Sequence, residues 1–291
     1  MAGWLAAILT MTISGRELTS ELPVFVIMLW RSCLGVLFIA PFILWAGGRP
    51  LRTGRIKWHL ARNLTHYSAQ YCWFLAISLI PLAEVISIEF TLPIWTAILA
   101  GIFLGERLTA PRLAAIGLGF AGILIIVRPG LSPIGLGQLA ALYAAMVFAV
   151  SVVMTKSLTR TDDSLTIVFY MFALQGLIGL LPALQVWVWP PAEKWPWVLA
   201  LGLAGTASHF CLAKAIASAD ATVVIPMDFL RLPVTAVAGW LLYAEGLDAF
   251  LAAGAALILL GNAINLRGPA TTGLRGMPTR TPEPGPPKPS P

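Results

Sequence analysis

Charge is what this sequence has least of. Asp, Glu, Lys and Arg make up 11% of its 291 residues, against about 25% in an ordinary soluble domain. So few charges cannot clothe a solvated surface, which excludes a soluble globular protein. Cysteine is scarce too. Cys33, Cys72 and Cys211 lie inside apolar segments without a CxxC spacing, so they read as small buried hydrophobes and not as disulfide or metal chemistry. His59, His66 and His209 lack metal-ligand spacing, and there is no HExxH, GxSxG, Walker A or GxGxxG arrangement. A metal site, a bound cofactor, ATP-driven transport and familiar hydrolase mechanisms therefore find no support. No Lys or Arg precedes Arg16, so the basic start of a signal peptide is missing. The stretch from Gly3 to about Ser14 reads as the body of a short first helix, with Thr10, Thr12 and Ser14 turned toward protein or water.

What the chain does have is apolar length. Hydrophobic residues make up 58% and the mean hydropathy is +0.84. One membrane crossing takes roughly 20 apolar residues, so the chain has room for about ten crossings. The apolar runs are continuous and lack period-two alternation, which favours helices over a β-barrel. Pro, Gly and charge punctuation places helices near 2–19, 24–46, 60–80, 82–104, 111–128, 134–157, 165–189, 196–217, 220–243 and 247–266. The expected class is an all-α integral membrane protein with the lipid bilayer as its first partner.

The formal net charge of +6 is distributed in a way that argues against nucleic-acid binding. Arg49, Arg52, Arg55, Lys57 and Arg62 cluster in one loop, and Arg107, Arg112, Lys156, Arg160 and Arg267 mark further ends of the same face. The opposite face receives only Arg16, Arg128 and Lys194. By the positive-inside rule the basic loops are cytoplasmic, as are both termini, in a multi-pass protein of the plasma or bacterial inner membrane. From Gly268 the sequence turns Pro- and Thr-rich, and residues 268–291 read as a disordered cytoplasmic tail.

An internal duplication is the most informative feature. Tyr71-Cys72 reappears as Phe210-Cys211, Glu89-Phe90 as Asp228-Phe229, Glu106 as Glu245, Gly122 as Gly261 and Arg128 as Arg267, all at one offset of 139 residues. Pro93 and Pro233 fit with a slip of one. The chain thus divides into 1–128, 129–267 and the tail. Each repeat holds about five helices, and an odd number inverts the second repeat relative to the first, as is typical of secondary transporters.

The stretch Thr91-Leu92-Pro93-Ile94-Trp95, then Leu104-Gly105-Glu106-Arg107-Leu108-Thr109 and the run Gly117 to Gly122, resembles the EamA family of the drug/metabolite transporter superfamily. The second copy, Leu232-Pro233 through Ala244-Glu245-Gly246-Leu247 to Gly261, is similar but degenerate, with Ala244 in the place of the glycine. Arg31, in Leu29-Trp30-Arg31, resembles the family's second-helix arginine. The resemblance covers about 1–267. It implies ten transmembrane helices as two inverted five-helix repeats, a central substrate cavity and no covalent chemistry.

A charge at the bilayer centre costs roughly 2.5–3.5 kcal/mol even on lenient scales, so it normally faces protein or a wet cavity. The intramembrane candidates are Arg31, Glu84, Glu89, Lys214, Asp228 and Arg231. Of these Arg31, Glu89, Asp228 and Arg231 are the expected polar lining of a substrate cavity or coupling site. Asp228 and Arg231, at i and i+3, alternatively neutralise each other on one helix face. Tyr67, Tyr71, Trp73 and Trp95 are the aromatic candidates, while Trp4, Trp45, Trp58, Trp187, Trp189, Trp195 and Trp197 read as interfacial belts. Pro93, Pro226 and Pro233 fall within expected helices as gating or kinking positions, and Gly122 and Gly261 allow close helix approach. Glu106 and Glu245 are expected to cap helix ends.

The leading functional expectation is a secondary transporter of a small organic metabolite, not an enzyme, working by alternating access. Protons are a candidate coupling ion, and a homo-oligomer is compatible with the sequence. From the resemblance, export of an amino acid or related compound comes first, and uptake of a nucleoside-type cofactor second. A lipid-modifying membrane enzyme and a non-transporting helper or sensor subunit are the rivals from other classes.

Overall fold

The computed structural model describes residues 2–48, 51–104, 110–128, 134–218, 231–246 and 248–267. Among them are eleven α-helices and no strand: α1 (Ala2–Thr19), α2 (Val24–Trp45), α3 (Ile56–Leu79), α4 (Leu82–Glu89), α5 (Leu92–Leu104), α6 (Ala110–Val127), α7 (Leu136–Leu158), α8 (Ser164–Gln185), α9 (Trp195–Ser218), α10 (Arg231–Tyr243) and α11 (Ala249–Arg267). Four stretches, Val24–Trp45, Leu136–Leu158, Ser164–Gln185 and Ala192–Lys214, the last beginning with the short 3₁₀ turn before α9, are long and apolar enough to cross a membrane. Both the inside and the outside of the bundle are greasy. Phe74, Phe172 and Met171 are buried, while Leu37, Leu177, Leu181 and Trp240 are exposed. Such a surface is stable only against lipid.

The expected duplication appears as a displacement of whole elements. The bounds of α3 and α9 differ by 139 residues at each end, and so do those of α5 and α10. Packing follows an inverted two-fold arrangement. Helix α1 lies on α9 and α3 on α7, a symmetry-related pair, while α2 packs on its own counterpart α8 and α6 on α11. At the last contact a Cβ on Gly122 would stand 2.6 Å from the Gly254 carbonyl oxygen, and one on Gly261 would stand 2.9 Å from that of Ala115. Positions 115 and 254 are again 139 apart, so the two contacts are images of each other. Backbones this close tolerate only small residues.

Helix 82–104 is broken. It ends at Glu89, turns through Phe90 and Thr91, and restarts at Leu92. Pro93 has no N–H to give the Glu89 carbonyl, and its ring crowds that oxygen. Pro93 therefore stands in the first turn of α5, not inside a continuous helix. The Phe90 carbonyl exposed by the break accepts from Asn262 Nδ2 at 2.7 Å. Pro233 holds the corresponding early position in α10, whereas Pro226 and Asp228, the 268–291 tail and Glu106 lie outside the described residues.

Other boundaries move by a few residues. The helix expected over 165–189 stops at Gln185, and the one expected at 60 starts at Ile56. Thr12 and Ser14 face the protein interior as expected, but Thr10 is exposed. Trp4, read as interfacial, is buried. Trp187, Trp189 and Trp195 gather around Trp30 with ring centroids 5.0–6.1 Å from it.

Ala244, where the family pattern has glycine, follows α10 with φ of +52°. A left-handed conformation costs a Cβ-bearing residue roughly 1–2 kcal/mol. Ala244→Gly is expected to stabilise the protein by about 1 kcal/mol, less the added freedom of the unfolded chain. Thermal unfolding in detergent reads this directly, and a loss of stability would contradict it.

Candidate functional site

Helix α3 presents Asn63, His66, Tyr67 and Gln70 at spacings of three, one and three, which puts them on one face. All four are buried. That face meets Arg31 of α2, Gln175 of α8 and His209 of α9, so both repeats contribute. The Arg31 guanidinium has no exposed surface. Its Nη2 donates to Gln70 Oε1 at 2.5 Å and Gln175 Oε1 at 2.7 Å, and its face lies 5.2 Å from the Phe172 ring centre. The Gln175 amide nitrogen meets His66 Nδ1 at 3.1 Å and Asn63 Oδ1 at 3.3 Å. His66 and His209 rings approach to 5.4 Å. Arg62 continues the network, donating to Asn63 Oδ1 at 3.0 Å and Thr155 Oγ1 at 3.1 Å.

These groups sit mid-helix. Arg31 is seven residues into α2, Gln175 eleven into α8, and Gln70 and His209 each fourteen into α3 and α9. At 1.5 Å per residue they lie roughly 10–15 Å from the nearer helix end. Several polar atoms here have no hydrogen-bond partner: Arg31 Nε and Nη1, Tyr67 Oη, Ser151 Oγ and His209 Nε2.

A second cluster adjoins the first through α3. Trp73, one turn beyond Gln70, donates from Nε1 to Glu89 Oε2 at 2.8 Å. Glu89 Oε1 pairs with Arg231 Nη2 at 2.9 Å, and Arg231 lies 5.2 Å from the Phe90 ring centre. This joins α3, the end of α4 and the start of α10. The break at Phe90–Thr91 sets Glu89 at a helix terminus, and Arg231 meets the other repeat's acid. Tyr71 stacks on Phe25 at 4.5 Å. Trp95 donates to Thr91 Oγ1 at 3.0 Å and packs edge-on against Phe120. An apolar groove of about 380 Å³ between α4, α10 and α11, lined by Ala83, Leu232 and Ala255 among others, is separate from both polar clusters.

The ends of the bundle are clasped. Arg16 donates to the Ile77 and Ile80 carbonyls and pairs with Glu245 at 3.5 Å. Glu245 in turn accepts from the Leu82 N–H at 2.9 Å, capping α4 and not its own helix. Lys194 reaches Glu17 at 3.4 Å and Glu21 at 3.3 Å. At the opposite end Arg55 donates to the Ser157 carbonyl at 2.8 Å, and His59 meets Asp162 at 3.0 Å. Arg55 and Lys194 are 139 apart. Each precedes a helix of one repeat and grips the end of a helix from the other.

A family model described as the EamA-like transporter family matches residues 3–128 and again 135–267. The chain belongs to the EamA-like transporter family. It is therefore a small-molecule transporter of the inner-membrane, multi-pass kind, and its relatives carry transporter names. The riboflavin transporter of Vibrio cholerae is 30% identical over 89% of this chain and 88% of its own. The S-adenosylmethionine uptake transporter of Rickettsia conorii is 25% identical over 84% and 83%. The pseudopaline exporter CntI of Pseudomonas aeruginosa is 28% identical over 84% and 87%. A solved crystal structure matches with a TM-score of 0.66 at 21% identity, covering 90% of the transporter and 94% of that chain, which shows a shared fold.

Of the residues singled out from sequence, Glu89, Arg231 and Trp73 come together, and Arg31 occupies the centre of a different cluster. The sequence reading missed Gln70, Gln175, His66 and His209. One signal was available for two of them. Gln70 and His209 stand 139 apart, one residue before the repeated Tyr71-Cys72 and Phe210-Cys211.

Proposed function

We propose that this transporter carries a small organic metabolite across the cytoplasmic membrane by alternating access, holding it at the Arg31–Gln70–Gln175–His209 cluster. The observation that carries the reading is a polar, buried, partly unsatisfied network near the middle of its helices, built from both repeats. Interior packing alone has no use for such a network, since unsatisfied buried polar groups cost about 1–3 kcal/mol each. In an inverted repeat the midplane junction is where substrate sites form. Residues 1–128 and 129–267 are the two halves of the cycle. Both termini face the cytoplasm, and the driving force is a proton gradient or the substrate's own gradient.

On this orientation the Arg16, Glu245 and Lys194 clasps lie on the outer face. Export of an amino acid or related compound remains the first direction, consistent with an exporter among the relatives. Uptake of a nucleoside-type cofactor is the second, and the relatives named for S-adenosylmethionine and riboflavin favour it.

Flux of labelled riboflavin, S-adenosylmethionine and amino acids into or out of vesicles carrying the purified protein tests the site. Wild type is expected to carry at least one of them down its gradient. A Gln70→Leu, Gln175→Leu double variant should lose at least tenfold in flux, about 1.4 kcal/mol. A well-folded double variant with undiminished flux would remove the cluster from the substrate path.

A further inference from the structure

Arg31 poses a problem of charge. Its guanidinium carries a permanent positive charge, has no exposed surface, and is met by two neutral amide oxygens, Gln70 Oε1 and Gln175 Oε1. Nε and Nη1 have no acceptor. The other buried cation of this network, Arg62, also finds only neutral partners, Thr155 and Asn63. Among the described residues, no Asp or Glu is in the buried polar set, although Arg31, Arg62 and Arg231 are. The contrast with Arg231 is instructive, because that cation meets Glu89 at 2.9 Å. A charge buried without a counter-ion is among the costliest arrangements a membrane protein can hold. Arginine is also the side chain most used to bind carboxylate and phosphate groups.

We propose that Arg31 is the docking group for an oxyanion of the transported molecule, a carboxylate or a phosphate, which accepts from Nε or Nη1, the two nitrogens left without an acceptor. Gln70 and Gln175 hold the guanidinium through Nη2 and leave the Nε and Nη1 donors for the ligand. His209 Nε2 and Tyr67 Oη, both buried and without partners, supply additional polar contacts nearby. The substrate class is thus an anionic or zwitterionic metabolite. This rests on the transport reading of the same site and narrows it.

The test uses matched probes on the full-length protein in detergent and in vesicles. Acetate and inorganic phosphate are compared with neutral glycerol at constant ionic strength by thermal unfolding. Riboflavin is compared with riboflavin 5′-phosphate, and S-adenosylmethionine with its decarboxylated form, by both unfolding and flux. The member that bears the oxyanion is expected to bind wild type about ten- to a hundredfold more tightly than its mate without it, as a charge-assisted hydrogen bond gives. Arg31→Gln should erase that difference. Arg31→Lys should keep part of it. Without ligand, Arg31→Gln should be at least as stable as wild type, because it removes an uncompensated charge. The phosphate and carboxylate arms decide which oxyanion is preferred. Equal binding of both members of each pair by wild type overturns the proposal and leaves transport intact. Flux of none of the probes, with anion-dependent stabilisation that Arg31→Gln abolishes, sinks these transport candidates but keeps the anion site. No anion-dependent stabilisation of wild type in any arm overturns the proposal outright.

Discussion

Arg231→Met is expected to destabilise the transporter by about 3–5 kcal/mol, the usual consequence of stranding one charge of a buried pair. The stranded group is Glu89, whose Oε1 lies 2.9 Å from Arg231 Nη2. Its other oxygen keeps the Trp73 N–H at 2.8 Å, too little to hold a carboxylate away from water. Glu89→Gln with Arg231→Met is expected to recover most of that loss, since replacing both members of a buried pair is often neutral or stabilising. The double-mutant cycle, followed by thermal unfolding in detergent, should give a coupling of at least about 1.5 kcal/mol. Additive losses would mean that the two charges act independently. The pair also joins the break in one repeat to the first residue of α10 in the other. The cycle therefore measures cohesion between the halves and not within one helix.

Gly122→Leu is expected to be the next most damaging change. Its Cβ would meet the Gly254 carbonyl oxygen at 2.6 Å and Ile258 Cγ1 at 2.6 Å. A backbone oxygen cannot rotate away as a side chain can, so α6 and α11 must separate. Overpacking of this kind costs typically 1–3 kcal/mol, and more where nothing yields. Gly117→Leu, on the same helix, is the control, because a Cβ there meets nothing within 4 Å. It should be neutral or slightly stabilising, since leucine forms helix better than glycine by roughly 0.8 kcal/mol. Equal losses at 117 and 122 would show that helix approach is not what position 122 serves. The symmetric position, Gly261, faces the Ala115 carbonyl at 2.9 Å and should behave like Gly122.

The class of the protein was legible because the bilayer imposes it. Scarce charge and long apolar runs leave few architectures, and the 139-residue offset marks the repeat in the sequence alone. The break at Phe90–Thr91 was half legible. Pro93 announced a disturbance, but its position two residues after the turn places the interruption before the proline, not at it. The central network was less accessible. Arg31 stood out because a charge inside an apolar run is conspicuous, whereas Gln70 and Gln175 carry no charge and His66 was weighed only as a metal ligand. Their significance arises from convergence, with α2, α3, α8 and α9 bringing together residues up to 178 positions apart, from Arg31 to His209. Cross-repeat partners such as Glu89 with Arg231 depend likewise on packing that periodicity does not encode.

The packing of α1 on α9 has a consequence for how the chain is made. Helix α1 leaves the ribosome well before the surface it rests on, which begins at Trp195. At about 5–20 residues per second of synthesis, the first helix waits roughly ten seconds or more beside lipid. Arg16 can hold the Ile77 and Ile80 carbonyls once α3 is made, but its Glu245 partner is still missing when that interval ends. A ribosome stalled before α9 therefore releases a product with its first helix unmatched, a form that membrane quality control can recognise. The nascent transporter is vulnerable over most of its length and becomes secure only near the end.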